Sequence, residues 1–388
     1  MTTMRAVYCP RIYDGTSWHE KSALLIKDGQ SSGIVPRDQI SDDVPVENAN
    51  GTILVPGFVD LQVNGGGGIL FNERPDVEGI RRICAAHARF GTTALMPTLI
   101  TDTLEVTEAA IEAGVVAARE NVPGFLGLHL EGPHLSPERK GAHRADLIRP
   151  MTQDDMAMLI AARQNLPALL LTCAPESVTL GQVTQLVASE INVSLGHSDC
   201  THDTALAYVE AGASLVTHLF NAMSPLAHRE PGLPGAALDC GQLSAGLIAD
   251  GFHVDPAMIR IALRAKAPPG HLFLVTDAMS TIGSDIDGFE LNGRYVFRRG
   301  GRLTLGDGTL AGADIDMAAS IRFLEGRVGI PFETALRMAS RFPSEAIEIA
   351  DRKGTLAAGA DADFVELDGN HQVVGSFIGG NRVYKAGI

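Results

Sequence analysis

Positive charge is scarce in this sequence. Lys and Arg number 31 against 46 Asp and Glu, a formal net charge of −15. With no Lys/Arg run to build a local basic stripe, nucleic acid is not an expected partner. Cysteine is scarce too: Cys9, Cys84, Cys173, Cys200 and Cys240 are scattered, odd in number and form no CxxC pair. Neither a disulfide framework nor a thiolate zinc site is expected, and the thiols read as reduced, buried groups of a cytoplasmic protein. Cys200 lies close to His197 in sequence and reads as a passive neighbour. Long apolar runs are also missing, and the N-terminal MTTMRAVYCP lacks the apolar core of a secretion signal. No membrane role is expected.

What is present suits a large globular chain. Its 388 residues, 45% hydrophobic and 20% charged, can bury a core that needs no disulfide or metal to hold it. The middle of the sequence alternates short β-rich runs with amphipathic segments. The expected strands are Ile53–Leu61, Thr93–Thr98, Phe125–Leu130, Ala168–Cys173, Asn192–Leu195, Ser214–His218, Ala245–Ala249 and Leu272–Thr276. Helices are expected over Asp76–Phe90, Thr103–Arg119, Thr152–Arg163, Thr201–Glu210 and Pro256–Arg264, several with Thr or Pro near the start. Eight such units predict an α/β fold, a (β/α)₈ barrel of the TIM type.

The ends read differently. Strand-like pieces at Arg5–Tyr8, Ser22–Ile26, Ala362–Leu367 and Gln372–Ile378 predict a small β-sandwich built from both termini, over residues 1–52 and 350–388. The barrel domain is then expected over 53–349, with a β-hairpin inserted near 283–312.

Barrel enzymes carry their chemistry at the C-terminal ends of the strands. Four of the expected strands end in Glu131, His197, His218 and Asp277. Strand alternation puts His129 with Glu131 on one face, Val216 with His218, and Val275 with Asp277. If that face is the interior, the four side chains converge near the axis. A carboxylate and two imidazoles form a three-ligand set for a catalytic divalent cation, and a free Asp beside them supplies a base. Any single His at a strand end is more often a hydrogen-bonded structural residue; the combination of four carries the reading. His19, His87, His202, His228, His271 and His371 have no partner visible in sequence, while His129 can support the site from one step down its strand.

These strand ends lie within PGFVDLQVNG (56–65), GLHLEGPHLSPERKGAH (127–143), GHSDCT (196–201), THLFNAM (217–223), REPG (229–232), ADGFHVD (249–255), TDAM (276–279), GTLAGA (308–313) and GTLAAGADADF (354–364). In this order, over nearly the whole chain, the sequence closely resembles the N-acetylglucosamine-6-phosphate deacetylases of the amidohydrolase superfamily. The resemblance implies Glu131, His197 and His218 as metal ligands and Asp277 as catalytic base and later acid. It implies contact of His143 and Ala142 with the N-acetyl carbonyl or the sugar, and of Asn221, Ala222, Arg229 and His253 with the phosphate. Leu310, Ala311 and Gly312 would line the sugar pocket. A homodimer is implied, with Arg229 or His253 able to serve the neighbouring subunit's site.

Much of the superfamily has His-x-His after the first strand, where this chain has Gln62-Val63-Asn64. Amide oxygens are poor zinc ligands beside imidazole, so one divalent ion per subunit is expected, zinc ahead of iron, cobalt or manganese. His134, after Glu-Gly-Pro, stands where relatives often carry an aromatic residue and reads as a loop imidazole. The implied activity is hydrolysis of N-acetyl-D-glucosamine 6-phosphate to D-glucosamine 6-phosphate and acetate. The galactosamine epimer stays open as the substrate. A cyclic amidase or deaminase is disfavoured by the missing His-x-His, and an inactive sugar-phosphate sensor by the retained ligand set and Asp277.

Overall fold

The computed structural model describes residues 4–387. Eight parallel strands form the barrel: Phe58–Val63, Thr92–Ile100, Leu128–Glu131, Leu169–Cys173, Asn192–Leu195, Leu215–Val216, Ser244–Leu247 and Leu272–Leu274. Each pairs with the next in sequence order, the topology expected when a helix returns the chain after every strand. The first and eighth strands share no ladder. They close the barrel through a single parallel bridge, Val63 to Ala278, beyond the end of the last strand.

The strands are buried on both faces. Val59, Leu61, Met96, Leu170, Leu215, Phe273 and Val275 pack inside the barrel. A second, larger cluster joins the outward strand residues, such as Val193, Val216 and Leu272, to Ile80, Ile83, Ala110, Leu159 and Ile259 on the helices. The expected helices begin at clear caps. Asp76, Thr103, Thr201 and Asp255 each accept a backbone N–H of the first turn, and Thr152 forms a reciprocal capping box with Asp155. Each cap stabilises its helix by about 1 kcal/mol. Further helices, among them Leu180–Ala188, Gly232–Asp239 and Phe332–Ala339, complete the outer ring.

Two expectations need correction. Ile53–Leu61 is not one strand. Ile53–Pro56 joins the terminal sheet beside Phe364–Leu367, and the barrel strand begins at Phe58. Gly57 is the junction: its N–H donates to Asp363, and a Cβ there would overlap the Thr93 side chain. The insertion is not a hairpin either. Gly288–Leu291, Arg294–Arg299, Arg302–Thr304 and Leu310–Ala313 form a four-stranded antiparallel meander. Asn292-Gly293 and Gly300-Gly301 make its first two turns, all four at positive φ, the backbone that tight hairpins require.

Both termini meet in one sheet, the basis of the small β-sandwich domain. Arg5–Tyr13, Trp18–Lys27, Gln30–Pro36, Val46–Asn48 and Ile53–Pro56 are continued by Phe364–Leu367, Val373–Ile378 and Asn381–Lys385. Its own core contains Val7, Ile12, Leu24, Leu54, Phe364 and Phe377.

Candidate active site

Three ligand-type side chains meet at the C-terminal mouth of the barrel. Glu131 closes the third strand, and its Oε1 lies 3.2 Å from His197 Nε2 and 3.0 Å from His218 Nε2. The two imidazole nitrogens are 3.1 Å apart. Ligand atoms about 2.0–2.1 Å from a tetrahedral zinc stand roughly 3.3 Å from one another, so this triangle has the size of a metal site. The donor chemistry fits as well. His197 Nδ1 donates to the Arg139 carbonyl at 2.8 Å, which leaves the Nε2 lone pair facing the cluster. His218 Nδ1 is buried with no hydrogen-bond partner among the described residues. Burial works against ionisation of Glu131, but the two imidazoles override it and hold the carboxyl well below its usual range.

The backbone explains how these side chains turn inward. His197, His218 and Asp277 have φ of 48°, 29° and 51°. Non-glycine residues pay about 1–3 kcal/mol for such positions, which persist only where surrounding contacts fix them. His218 shows the consequence. Leu215 packs inside the barrel and Val216 outside, so alternation fails here and the left-handed turn brings His218 in.

His143 stands at the edge of the cluster. Glu131, His143 and His197 also offer three ligand atoms within 4.8 Å of one another. Its surroundings differ from theirs: the Thr101 N–H donates to His143 Nδ1 at 3.3 Å, and Thr101 Oγ1 is 2.8 Å from the same nitrogen. With Nδ1 accepting, the neutral ring carries its proton on Nε2, which points at Glu131 Oε2 from 4.0 Å. Burial and the nearby His197 push its pKa down to about 3, so the ring is a neutral N–H donor.

Asp277 follows the eighth strand. Its Oδ1 accepts from Asn64 Nδ2 at 2.6 Å and Gln62 Nε2 at 3.2 Å. Gln62 Nε2 also donates to Glu131 Oε1 at 3.1 Å. Gln62 and Asn64 thus present N–H groups to the two carboxylates. Desolvation, with the Glu131 charge, pushes the Asp277 carboxyl up to about 6, within the range of a working base near neutral pH.

One cavity of about 370 Å³ contains all four groups, together with His143, Ala142, Asn221, Ala222, His253, Leu310, Ala311 and Gly312. Every expected site residue but one is therefore brought together. Arg229 is the exception, exposed on its loop and absent from this cavity. The Asn221 amide is turned back on its own loop, with Nδ2 donating to the carbonyls of His218 and Leu219, both at 3.2 Å. His253 is held by a 2.6 Å contact to Asp250 Oδ2.

Sequence reasoning missed other cavity residues. Arg139, Met279, Leu291 and Thr309 also line it. Arg139 had a signal, a cation inside the motif that carries His143; the others carry no chemistry to mark them. His129 does lie beneath the site, bridging Thr98 and Thr172 at 3.2 and 2.7 Å. His134 is buried and contacts the Arg149 carbonyl at 3.1 Å, away from the cavity.

Comparison with known proteins is decisive at this point. The sequence profile described as "Amidohydrolase family" matches residues 53–383. The chain belongs to this family. A relative from Shewanella sp. (strain ANA-3), named N-acetylgalactosamine-6-phosphate deacetylase, is 42% identical over 95% of this chain and 93% of its own. The Haemophilus influenzae N-acetylglucosamine-6-phosphate deacetylase is 33% identical over 92% and 93%. Among solved structures, the Pasteurella multocida N-acetylglucosamine-6-phosphate deacetylase superposes with a TM-score of 0.93 at 34% identity, covering 98% of this chain and 99% of that one. A Mycobacterium smegmatis variant in complex with N-acetyl-D-glucosamine-6-phosphate gives 0.90 at 29% identity, covering 99% and 100%.

Proposed function

We propose that this amidohydrolase is a metal-dependent deacetylase that converts N-acetyl-D-glucosamine 6-phosphate to D-glucosamine 6-phosphate and acetate. The observation that carries the reading is the meeting of Glu131, His197 and His218 about a single point, with Asp277 and the His143 N–H opening on the same cavity. The named activities of the relatives supply the substrate class.

Glu131, His197 and His218 would hold one divalent ion, zinc first given a donor set of two nitrogens and one oxygen. Bound there, the ion supplies Lewis acidity for attack on an amide. Gln62 and Asn64 donate to the carboxylates instead of offering a second metal a site. Asp277 takes a proton from the attacking water and later delivers it to the amine, which is a poor leaving group until protonated. The His143 Nε2–H donates to the carbonyl oxygen as charge develops there, a role worth roughly 3–4 kcal/mol. Asn221, Ala222 and His253, which line the same cavity, would hold the phosphate, whose binding orients the acetamide. In a homodimer, the exposed Arg229 would be free to reach a neighbouring site.

No described helix is long and apolar enough to cross a membrane. A second reading, deacetylation of the galactosamine epimer, draws support from the Shewanella relative at 42% identity. Overall identity does not assign the epimer, since a second galactosamine-named relative, from Escherichia coli O157:H7, is only 31% identical. Acetate release by metal-reconstituted protein, measured side by side on both sugar phosphates, tests the proposal. A higher kcat/KM on the gluco epimer is expected; the reverse selects the second reading, and no release from either overturns both.

A further inference from the structure

Asp277 adopts a left-handed backbone at the one seam of the barrel that no ladder closes. Something must hold it there. The N–H groups of three successive residues are all tethered, and each tether leads to the first strand or to Thr276. Thr276 N–H donates to Asp60 Oδ1 at 3.2 Å, and Asp277 N–H donates to the Gln62 carbonyl at 3.0 Å. Ala278 N–H donates to Thr276 Oγ1 at 3.3 Å. That hydroxyl spends its own proton on Asp60 Oδ2, at 2.5 Å. Asp60 also accepts the Gln62 N–H at 3.3 Å.

Asp60 is therefore joined to the residues on both sides of Asp277, directly on one side and through the Thr276 hydroxyl on the other. It is fully buried, its hydrogen bonds go to Gln62 and Thr276 and not to the three ligand side chains, and it does not line the cavity. Among the described residues no cation pairs with it. A buried carboxylate whose recorded partners are the backbone and one hydroxyl is costly to keep as mere packing, and its position gives it a use.

We propose that Asp60 and Thr276 form a positioning device for the catalytic base. They add to the backbone bonds that cross the seam, Asp277 N–H to the Gln62 carbonyl and the Asn64 and Gly65 N–H groups to the Ala278 carbonyl, and hold Asp277 in its strained backbone. The inference rests on the reading of Asp277 as the base. Side chains that orient a catalytic group act on kcat, because a small misplacement of the base is felt in the transition state and not in substrate binding.

The test uses the full-length, metal-loaded enzyme with Thr276→Ser, Thr276→Val, Asp60→Asn and Asp277→Asn. Ser retains the hydroxyl and Val removes it at nearly constant shape. Thr276→Ser should keep kcat within about threefold of the parent, whereas Thr276→Val and Asp60→Asn should lose about tenfold or more, with KM within about threefold. Metal content should be unchanged in all of them. Amide hydrogen exchange at Asp277 and Ala278 should speed up in Thr276→Val and stay slow in Thr276→Ser. A Thr276→Val enzyme with parental kcat per folded molecule overturns the proposal. So does equal loss in the Val and Ser variants, because the hydroxyl is then not the acting group. Should Asp60→Asn fail to fold, the Val and Ser pair still decides. An active Asp277→Asn enzyme would instead overturn the functional reading itself, so the two failures are separable.

Discussion

Carboxylates withdrawn from water occur in two regions of this molecule, and they are satisfied in different ways. In the terminal sheet, Asp363 is 2.5 Å from Lys353 Nζ, which is also 3.0 Å from Asp361. Glu366, fully buried, accepts from Asn50 and lies 3.9 Å from an Arg382 nitrogen. All three acids there have a permanent cation within 4 Å. At the barrel mouth, Glu131 and Asp277 have none: their partners are imidazoles and the amide N–H groups of Gln62 and Asn64. Amide N–H groups satisfy hydrogen bonds without cancelling charge, and an imidazole nitrogen whose lone pair faces a carboxylate is a further ligand and not a counter-charge. Negative charge left over beside free nitrogen lone pairs is what a divalent cation requires, and the terminal sheet has no such surplus. Burial of an acid does not mark a site, whereas convergence without a resident cation does.

The sharpest way to break this comparison is at Asp277. Asp277→Asn should lower kcat by about 10³-fold or more while metal content holds, measured by acetate release and elemental analysis. Activity within about tenfold of the parent would remove Asp277 from its role. His143→Ala should come next, with a loss of about 10²–10³-fold in kcat and little change in metal content. If the metal is lost instead, His143 is a ligand and its assignment as a donor is wrong.

At the terminal sheet the effect should fall on stability alone. Lys353→Met leaves Asp363 without its cation and Asp361 with Arg352 alone, and should cost about 3–5 kcal/mol in denaturant unfolding, with kcat per folded molecule unchanged. Burial lowers the Lys353 pKa, but Asp363 and Asp361 override it and raise it above the ordinary 10.5. A raised folded pKa means that this stabilisation is complete below about 10.5 and fades as pH climbs through the higher folded value. Parent and Lys353→Met should therefore converge in stability at strongly alkaline pH, and a constant gap there would contradict the pairing. The smallest effect belongs to Cys200, whose thiol is pushed up to about 11 by burial. Cys200→Ala should keep kcat within about twofold, and the parent thiol should resist alkylation at neutral pH.

The eight strands and the convergence of Glu131, His197 and His218 are legible in the sequence because both follow from periodicity and from residue type at strand ends. What alternation could not supply was the backbone turn at His218, which overrides the face on which Val216 lies. The strand break at Gly57 depends on a contact with Thr93, distant in sequence. The four-stranded meander looks like a hairpin in the sequence because Arg302–Thr304 is too short to show a period. Arg229 was assigned by its motif alone, and within a single chain it stays exposed and outside the cavity. Gln62 and Asn64 were recognised as poor ligands, but their positive role as donors to two carboxylates needed the fold.

The most direct measurement is metal stoichiometry by elemental analysis of the fully loaded protein, paired with Glu131→Gln, His197→Ala and His218→Ala. One tightly bound divalent ion per chain is predicted, with affinity lost in each of the three variants and retained in Asp277→Asn. Two ions per chain, or full binding in any of the three, would contradict a single cation held by these side chains.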